Sequence, residues 1–290
     1  MTDIIEEKAF AKLNISLDVK NRRPDGYHEM AMVMQTVSLC DTIKLKRTDS
    51  SGISASCSVS FIPCDDRNLA VRAARLYLNK IGCPESGIRM NIEKKIPVGA
   101  GLAGGSADAA AVLRGMNRLF SDSLSREELI ELSEEIGSDV PFCLLGGTMF
   151  ASGRGEILSP VRPMPECFYV ICKPSFSIST PDMFRTLDRI KVKGHPDTEG
   201  ILIALEEQNL AEICRRMYNV FEDIGDRRMR TVAEIKSGLL DCGAEGAVMS
   251  GTGSAVFGIF KDRETARSAA EEMKRRFPFS SCAENVESCL

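Results

Sequence analysis

The sequence predicts an α+β protein of two domains, and three observations carry that expectation. Segments with the two-residue alternation of strands crowd the start of the chain and helical periodicity follows them, so strands and helices segregate. At 290 residues, 43% of them hydrophobic and 27% charged, the chain exceeds what one core usually supports. A proline-dense segment, PVRPMPE at Pro160–Glu166, then marks a boundary that divides residues 1–160 from residues 161–290.

Ala9–Val19 is the first strand. Ala11, Leu13, Ile15, Leu17 and Val19 fall on one face and Lys12, Asn14, Ser16 and Asp18 on the other, which describes a half-buried strand. The turn NRRPDG (Asn21–Gly26) leads through Tyr27 and His28 to an apolar stretch, Met30–Leu39. Further strands are expected at Asp41–Lys46, Ile53–Phe61 and Ile88–Ile96, and helices at Asn68–Ile81, Ala103–Asn117 and Arg126–Ile136. Ser125 with Glu128 three residues on is a capping box for the last of these. Beyond the prolines come a strand at Phe168–Cys172 and helices at Pro181–Arg189, Glu199–Glu207, Leu210–Tyr218 and Arg227–Cys242. Strands at Ala244–Ser250 and Ser254–Phe260, a helix at Arg263–Phe277 and a strand at Cys282–Val286 complete an antiparallel sheet backed by helices.

The most informative segment is PVGAGLAGGSADAAA, Pro97–Ala111, where a glycine-rich bend runs directly into an alanine-rich helix. Glycines 99, 101, 104 and 105 let backbone N–H groups approach a charged group, and the helix start adds its positive end. A bound phosphate is the natural occupant. A Walker loop is excluded, because Gly105 is followed by Ser106 and Ala107 rather than by Lys and a hydroxyl residue. The dinucleotide pattern G-x-G-x-x-G is satisfied by Gly99, Gly101 and Gly104, with Asp122 as the acid about twenty residues on. Asp122 falls in a polar turn rather than at a strand end, so that match is weak.

Net charge of −4 and a pI near 5.5 give no electrostatic case for nucleic acid or an anionic membrane, so anionic ligands must be held by local groups. Eleven cysteines occur without a C-x-x-C pair and with only two histidines, which points to reduced, mostly buried core thiols and a reducing compartment. The N-terminal MTDIIEEKAF has neither a basic nor an apolar region of a secretion signal, and no apolar run reaches membrane-spanning length. The expected location is the cytoplasm; a monomer and a homodimer both remain open.

Three more places could carry chemistry. Lys12 could neutralise phosphate charge or hold a carboxylate, although a strand lysine is ordinarily solvated. Asp139 in GSDVPF (Gly137–Phe142) sits where an aspartate is ordinarily a helix N-cap. SGTGS (Ser250–Ser254) reads alone as a tight turn between two strands.

These segments occur together, in this order, in one group. Lys and Asn on strand one, AKLNISLDVKNRRPDGYHEM (Ala11–Met30), the PxGAGLxGGSxDAA loop, GSDVPFCLLGGTMFASGRGE (Gly137–Glu156) and a late SGTGS resemble the GHMP small-molecule kinases over nearly the whole chain, most densely over residues 9–156. The resemblance implies the two-domain GHMP fold: an N-terminal domain with a left-handed βαβ element, a ferredoxin-like C-terminal domain and an active site in the cleft between them. It implies ATP as phosphoryl donor, over Pro97, Val98, Gly99, Ala100, Gly101, Leu102, Ala103, Gly104, Gly105, Ser106 and Ala107, with Ser106 also touching Mg²⁺. Members of this group most like the present chain phosphorylate a tertiary hydroxyl of a cytidine diphosphate-linked methylerythritol. By that likeness Asp139 is the base and Lys12 its partner, Asn14 helps hold the substrate, Tyr27 and His28 contact the cytosine, and Phe184 stacks on its other face. A group member acting on homoserine, mevalonate or a sugar would lack PDGYHEM and the GSDVPF acid, and a non-catalytic binder would not need Lys12, Asp139 and Ser106 together. The usual loop has glycine where Ala103 stands, and its methyl requires that residue to avoid positive φ.

Overall fold

The computed structural model describes residues 4–190, 192, 194–225 and 227–290; Met1–Asp3, which open the segment read for a secretion signal, lie outside them. β1 (Ile5–Arg22) and β2 (His28–Thr48) form a long antiparallel hairpin. Register shifts at Phe10/Ala11 and Asn14/Ser16 bend it as β-bulges do. β2 is one strand where the sequence suggests two, and β1 is not half-buried. Lys12, Asn14, Ser16 and Asp18 are buried along with the apolar face, because C-terminal residues cover the side expected to meet water.

β3 (Ile53–Cys57) stops short of the expected Phe61 and gives way to turns that leave Phe61 exposed. α1 (Leu69–Lys80), capped by the Asn68 side chain, carries the chain to β4 (Gly87–Glu93), which pairs with β3 in parallel. α2 (Gly104–Leu119) then packs on α1, β1 and β2. Its run Ala107–Asn117 is buried throughout, so small alanines let the helix lie close to the sheet. α3 (Arg126–Ile136) begins at the expected capping box, in which Ser125 and Glu128 exchange hydrogen bonds, and α4 (Val140–Leu145) follows with Asp139 at its N-cap position. β5 (Thr148–Gly153) and β6 (Ile157–Pro160) form a hairpin on β2.

β7 (Phe168–Lys173), α5 (Thr180–Leu187), α6 (Thr198–Glu206) and α7 (Leu210–Arg215) come next. The expected helix to Tyr218 ends early because β8 (Tyr218–Asn219) joins the first sheet parallel to β1. After a 3-10 turn at Val220–Asp223 come α8 (Arg227–Asp241), β9 (Gly246–Met249), β10 (Val256–Phe260), α9 (Arg263–Arg276) and β11 (Phe279–Glu284). The second sheet runs β11-β7-β10-β9, antiparallel throughout as expected, with α8 and α9 packed against it. The first runs β3-β4-β2-β1-β8, with β5 on β2.

Every cysteine is free, but burial is less general than expected: Cys143, Cys167, Cys172 and Cys214 are buried, whereas Cys64 and Cys83 are exposed in turns flanking α1. Among the described residues no helix is long and apolar enough to cross a membrane.

Candidate active site

A cavity of about 960 Å³ opens between the β1–β2 hairpin and glycine loop on one side and α5 with the Ser250–Ser254 turn on the other, at the upper end of the size range for small-molecule sites. Lys12, Tyr27, His28, Asp139, Phe184 and the loop from Pro97 to Ser106 all line it. Residues far apart in sequence are thereby brought onto one surface.

One wall is built by three interlocked segments. The backbone N–H of Lys12 donates to the Leu102 carbonyl at 3.2 Å, tying β1 to the glycine loop. The Ser250 hydroxyl donates to the Gly101 carbonyl at 2.9 Å, and the Ala255 N–H donates to the Ala100 carbonyl at 3.0 Å. SGTGS is therefore more than a hairpin turn: it clamps the loop. Gly101 has φ +76°, and a Cβ there would lie 2.1 Å from the Ser250 carbonyl oxygen, so only glycine fits.

Asn14 lies behind that wall, fully buried. Its Oδ1 accepts from Lys12 Nζ at 2.6 Å and from the Gly251 N–H at 3.0 Å. It does not line the cavity, so its place is to aim the Lys12 ammonium and anchor the clamp. Ala107 is likewise buried below the lining.

Ala103 departs from expectation. It sits at the N-cap position of α2 with φ 55° and ψ 30°, the left-handed region its methyl disfavours. Neighbouring contacts impose this: Lys12 holds Leu102 from one side, and α2 starts at the next residue.

Beside the loop lies a charged cluster that sequence reasoning missed. Lys94 Nζ is shared between Asp41 Oδ2 and Asp108 Oδ2, the latter at 2.6 Å. All three side chains are buried. Asp41 also accepts the backbone N–H groups of Lys95 and Ile96, which pins the start of the loop. Desolvation, with Asp41 adding to it against the pull of Lys94, pushes the Asp108 carboxyl up to about 7, and its Oδ1 has no hydrogen-bond partner. The available signal was a lone acid inside an alanine-rich, buried helical run, with a lysine pair just upstream.

The far end of the cavity is aromatic. Tyr27 is 56% exposed, and the Arg154 guanidinium lies 5.0 Å from its ring centroid, a cation–π contact. His28 stacks on Phe184 with centroids 4.9 Å apart and planes at 23°, and Phe221 meets Phe184 edge-on at 5.0 Å. One face of the Phe184 ring is thus taken by His28, while Phe184 and the exposed ring of Tyr27 both line this end of the cavity. His28 Nε2 is bound to Asp188 Oδ1 at 2.7 Å.

Mg²⁺ is satisfied by one or two protein oxygens together with phosphate oxygens and water. Among the described residues no group of three or more His, Cys, Asp or Glu side chains is placed to hold a metal. The Ser106 hydroxyl, in the first turn of α2 on the cavity surface, fits an ion that arrives on a nucleotide's phosphates rather than a resident one. The dinucleotide reading fails on distance, because α2 separates its acid, Asp122, from the glycine loop by about 24 Å of helix.

Comparison with known proteins accords with this geometry. Residues 68–147 match the GHMP kinases N terminal domain and residues 201–278 the GHMP kinases C terminal domain. A relative from Clostridium botulinum (strain Loch Maree / Type A3) is 43% identical over 270 residues, covering 93% of this chain and 96% of its own. One from Caldicellulosiruptor saccharolyticus is 44% identical over 267 residues, covering 92% of both chains. Each is named 4-diphosphocytidyl-2-C-methyl-D-erythritol kinase. A crystal structure of 4-(cytidine 5'-diphospho)-2C-methyl-D-erythritol kinase superposes with a TM-score of 0.81 at 35% identity, covering 97% of this chain and 98% of that one. Homoserine kinase from Cytophaga hutchinsonii, at 22% identity and TM-score 0.73 over 100% of this chain and 96% of its own, shares the fold. With a cleft built from these motifs and such identity over almost the full length of both chains, the protein belongs to the GHMP kinases, in the family of the 4-diphosphocytidyl-2-C-methyl-D-erythritol kinases.

Proposed function

We propose that the chain transfers the γ-phosphoryl group of ATP to the tertiary 2-hydroxyl of 4-diphosphocytidyl-2-C-methyl-D-erythritol, giving the 2-phosphate and ADP. The observation that carries this reading is the placing of Lys12, Asp139, the glycine loop and the Tyr27–His28 pair around one cavity large enough for two ligands. Residues 1–160 and 161–290 act as the two domains that meet there. The enzyme works in the cytoplasm, a reducing compartment that suits its free cysteines.

Amide groups of Gly101–Ser106 and the positive end of α2 hold the ATP phosphates. Ser106 is the protein oxygen for Mg²⁺, which when bound neutralises phosphate charge. A tertiary alcohol is a poor nucleophile until its proton is accepted, and Asp139 accepts it. Lys12, aimed by Asn14, orients the hydroxyl and Asp139 and offsets negative charge as the phosphoryl group moves. In a loose, largely dissociative transfer, such positioning and neutralisation outweigh basicity. The cytosine lies at the aromatic end, against Tyr27, His28 and Phe184.

Asp139→Asn tests the chemistry. Turnover should fall at least a hundredfold while ATP still binds with near-normal affinity. Near-normal turnover by a folded variant would remove Asp139 from the mechanism.

A further inference from the structure

We infer that Asp188 fixes the hydrogen of His28 on Nε2, so that Nδ1 reads the exocyclic amine of the acceptor's base and the pair distinguishes cytidine from uridine. The inference rests on the reading of this end of the cavity as the cytidine site.

His28 is held in two independent ways. Phe184 lies flat against it, 4.9 Å between centroids at 23°, which sets the plane of the imidazole. Phe184 is in turn fixed edge-on by Phe221 at 5.0 Å and 87°. Rotation within the plane is set by Asp188, whose Oδ1 lies 2.7 Å from Nε2. Asp188 is the C-cap of α5, the helix that carries Phe184, and its backbone N–H donates to the Phe184 carbonyl at 3.0 Å. Stacking ring and orienting carboxylate therefore move as one unit.

A carboxylate only accepts hydrogen bonds, so Nε2 carries the hydrogen and Nδ1 of the neutral ring is an acceptor. His28 lines the cavity, and with Nε2 committed to Asp188, Nδ1 is the ring nitrogen left for a ligand. At ring position 4, cytosine presents an amine that donates, whereas uracil presents a carbonyl that accepts. A uridine analogue in the same pose would set two lone pairs against each other. A polar site left unpaired in this way discriminates by roughly 10- to 100-fold. Asp188 is thus a positioning residue, acting through His28.

The test compares kcat/KM for the cytidine acceptor and for its uridine analogue, with ATP saturating. The wild-type enzyme should favour cytidine by roughly 10- to 100-fold, chiefly in KM. Asp188→Ala should bring the ratio towards one with kcat little changed, and Asp188→Asn should restore it, because the amide oxygen still accepts from Nε2. The ¹⁵N spectrum of histidine-labelled protein, simple with only two histidines, should show His28 with a protonated Nε2 and a bare Nδ1. Retention of the wild-type ratio by Asp188→Ala, a preference for uridine, or a His28 signal from the opposite tautomer or the imidazolium would each overturn the inference. His28→Ala separates it from the reading beneath it. If that variant leaves KM for the cytidine acceptor unchanged, the base does not bind here. If it raises KM while Asp188→Ala keeps the ratio, only the role of Asp188 fails.

Discussion

Burial of polar side chains on β1 is what gives the site its character at the level of single residues. Lys12 and Asn14 lie on the strand face that alternation assigns to solvent, yet both are nine-tenths or more buried and bonded to each other. Burying an ammonium is costly unless it is paired, so the fold keeps it only with Asn14 behind it and the cavity ahead. The motifs in the sequence supplied Lys12 and Asp139 as candidates, but not the work of Asn14, because a strand pattern reports faces and not what covers them. Ala103 was misread for a related reason: φ preference is a property of the residue, whereas the φ of 55° is imposed by its neighbours. Left-handed backbone costs a non-glycine residue about 1–2 kcal/mol. Ala103→Gly should accordingly stabilise the protein by up to about 1 kcal/mol in urea unfolding, after the added flexibility of the unfolded chain is offset. A loss of stability would show that the Ala103 methyl contributes more by packing than it costs in strain.

The unit that matters among the elements is the glycine loop clamped between β1 and the turn at Ser250–Ser254. Gly101→Ala would drive a methyl into the Ser250 carbonyl, 2.1 Å away, and part the clamp. Displacing phosphate-binding amides by about 1 Å costs on the order of a hundredfold in kcat/KM, and the KM for ATP should rise; unchanged kinetics would show that the clamp is dispensable. The Asp41–Lys94–Asp108 cluster under the same loop makes stability depend on pH. The Asp108 carboxyl titrates at about 7 in the fold against 3.8 in its absence, so the folded state binds the extra proton between those values. Stability from this group is fully present below about pH 4 and is lost as pH rises through about 7. Asp108→Asn should flatten that decline in thermal melts between pH 5 and 8; an equally steep decline would assign it elsewhere. Long periodic elements such as α2 and α3 were legible from sequence. The β5–β6 hairpin was not, since its strands are short and glycine-punctuated, and β8 could not be, since two residues paired across the fold have no local periodicity.

The two sheets, and the cleft where the glycine loop meets α5, are properties of the whole molecule. Segments from the C-terminal half return repeatedly to the first sheet: β8 pairs with β1, Asn285 bridges to Val37, and His195 Nδ1 lies 2.7 Å from Asp18 Oδ1. With them the Ser250–Ser254 turn lies against the glycine loop and Phe184 of α5 lines the same cavity as Tyr27, although the residues concerned are separated by more than half the chain. Local sequence patterns could foresee the α+β class and the antiparallel second sheet, but not this interleaving, which depends on long-range pairing. The site became legible only because its motifs were taken together, each being an ordinary lysine, cap or turn when taken alone. This GHMP kinase phosphorylates a cytidine-linked methylerythritol. ADP release by the purified protein, offered 4-diphosphocytidyl-2-C-methyl-D-erythritol, mevalonate, homoserine and galactose in parallel with ATP, tests this activity most directly. Release with the first alone is the predicted result, and release with one of the other three and not the first would contradict it.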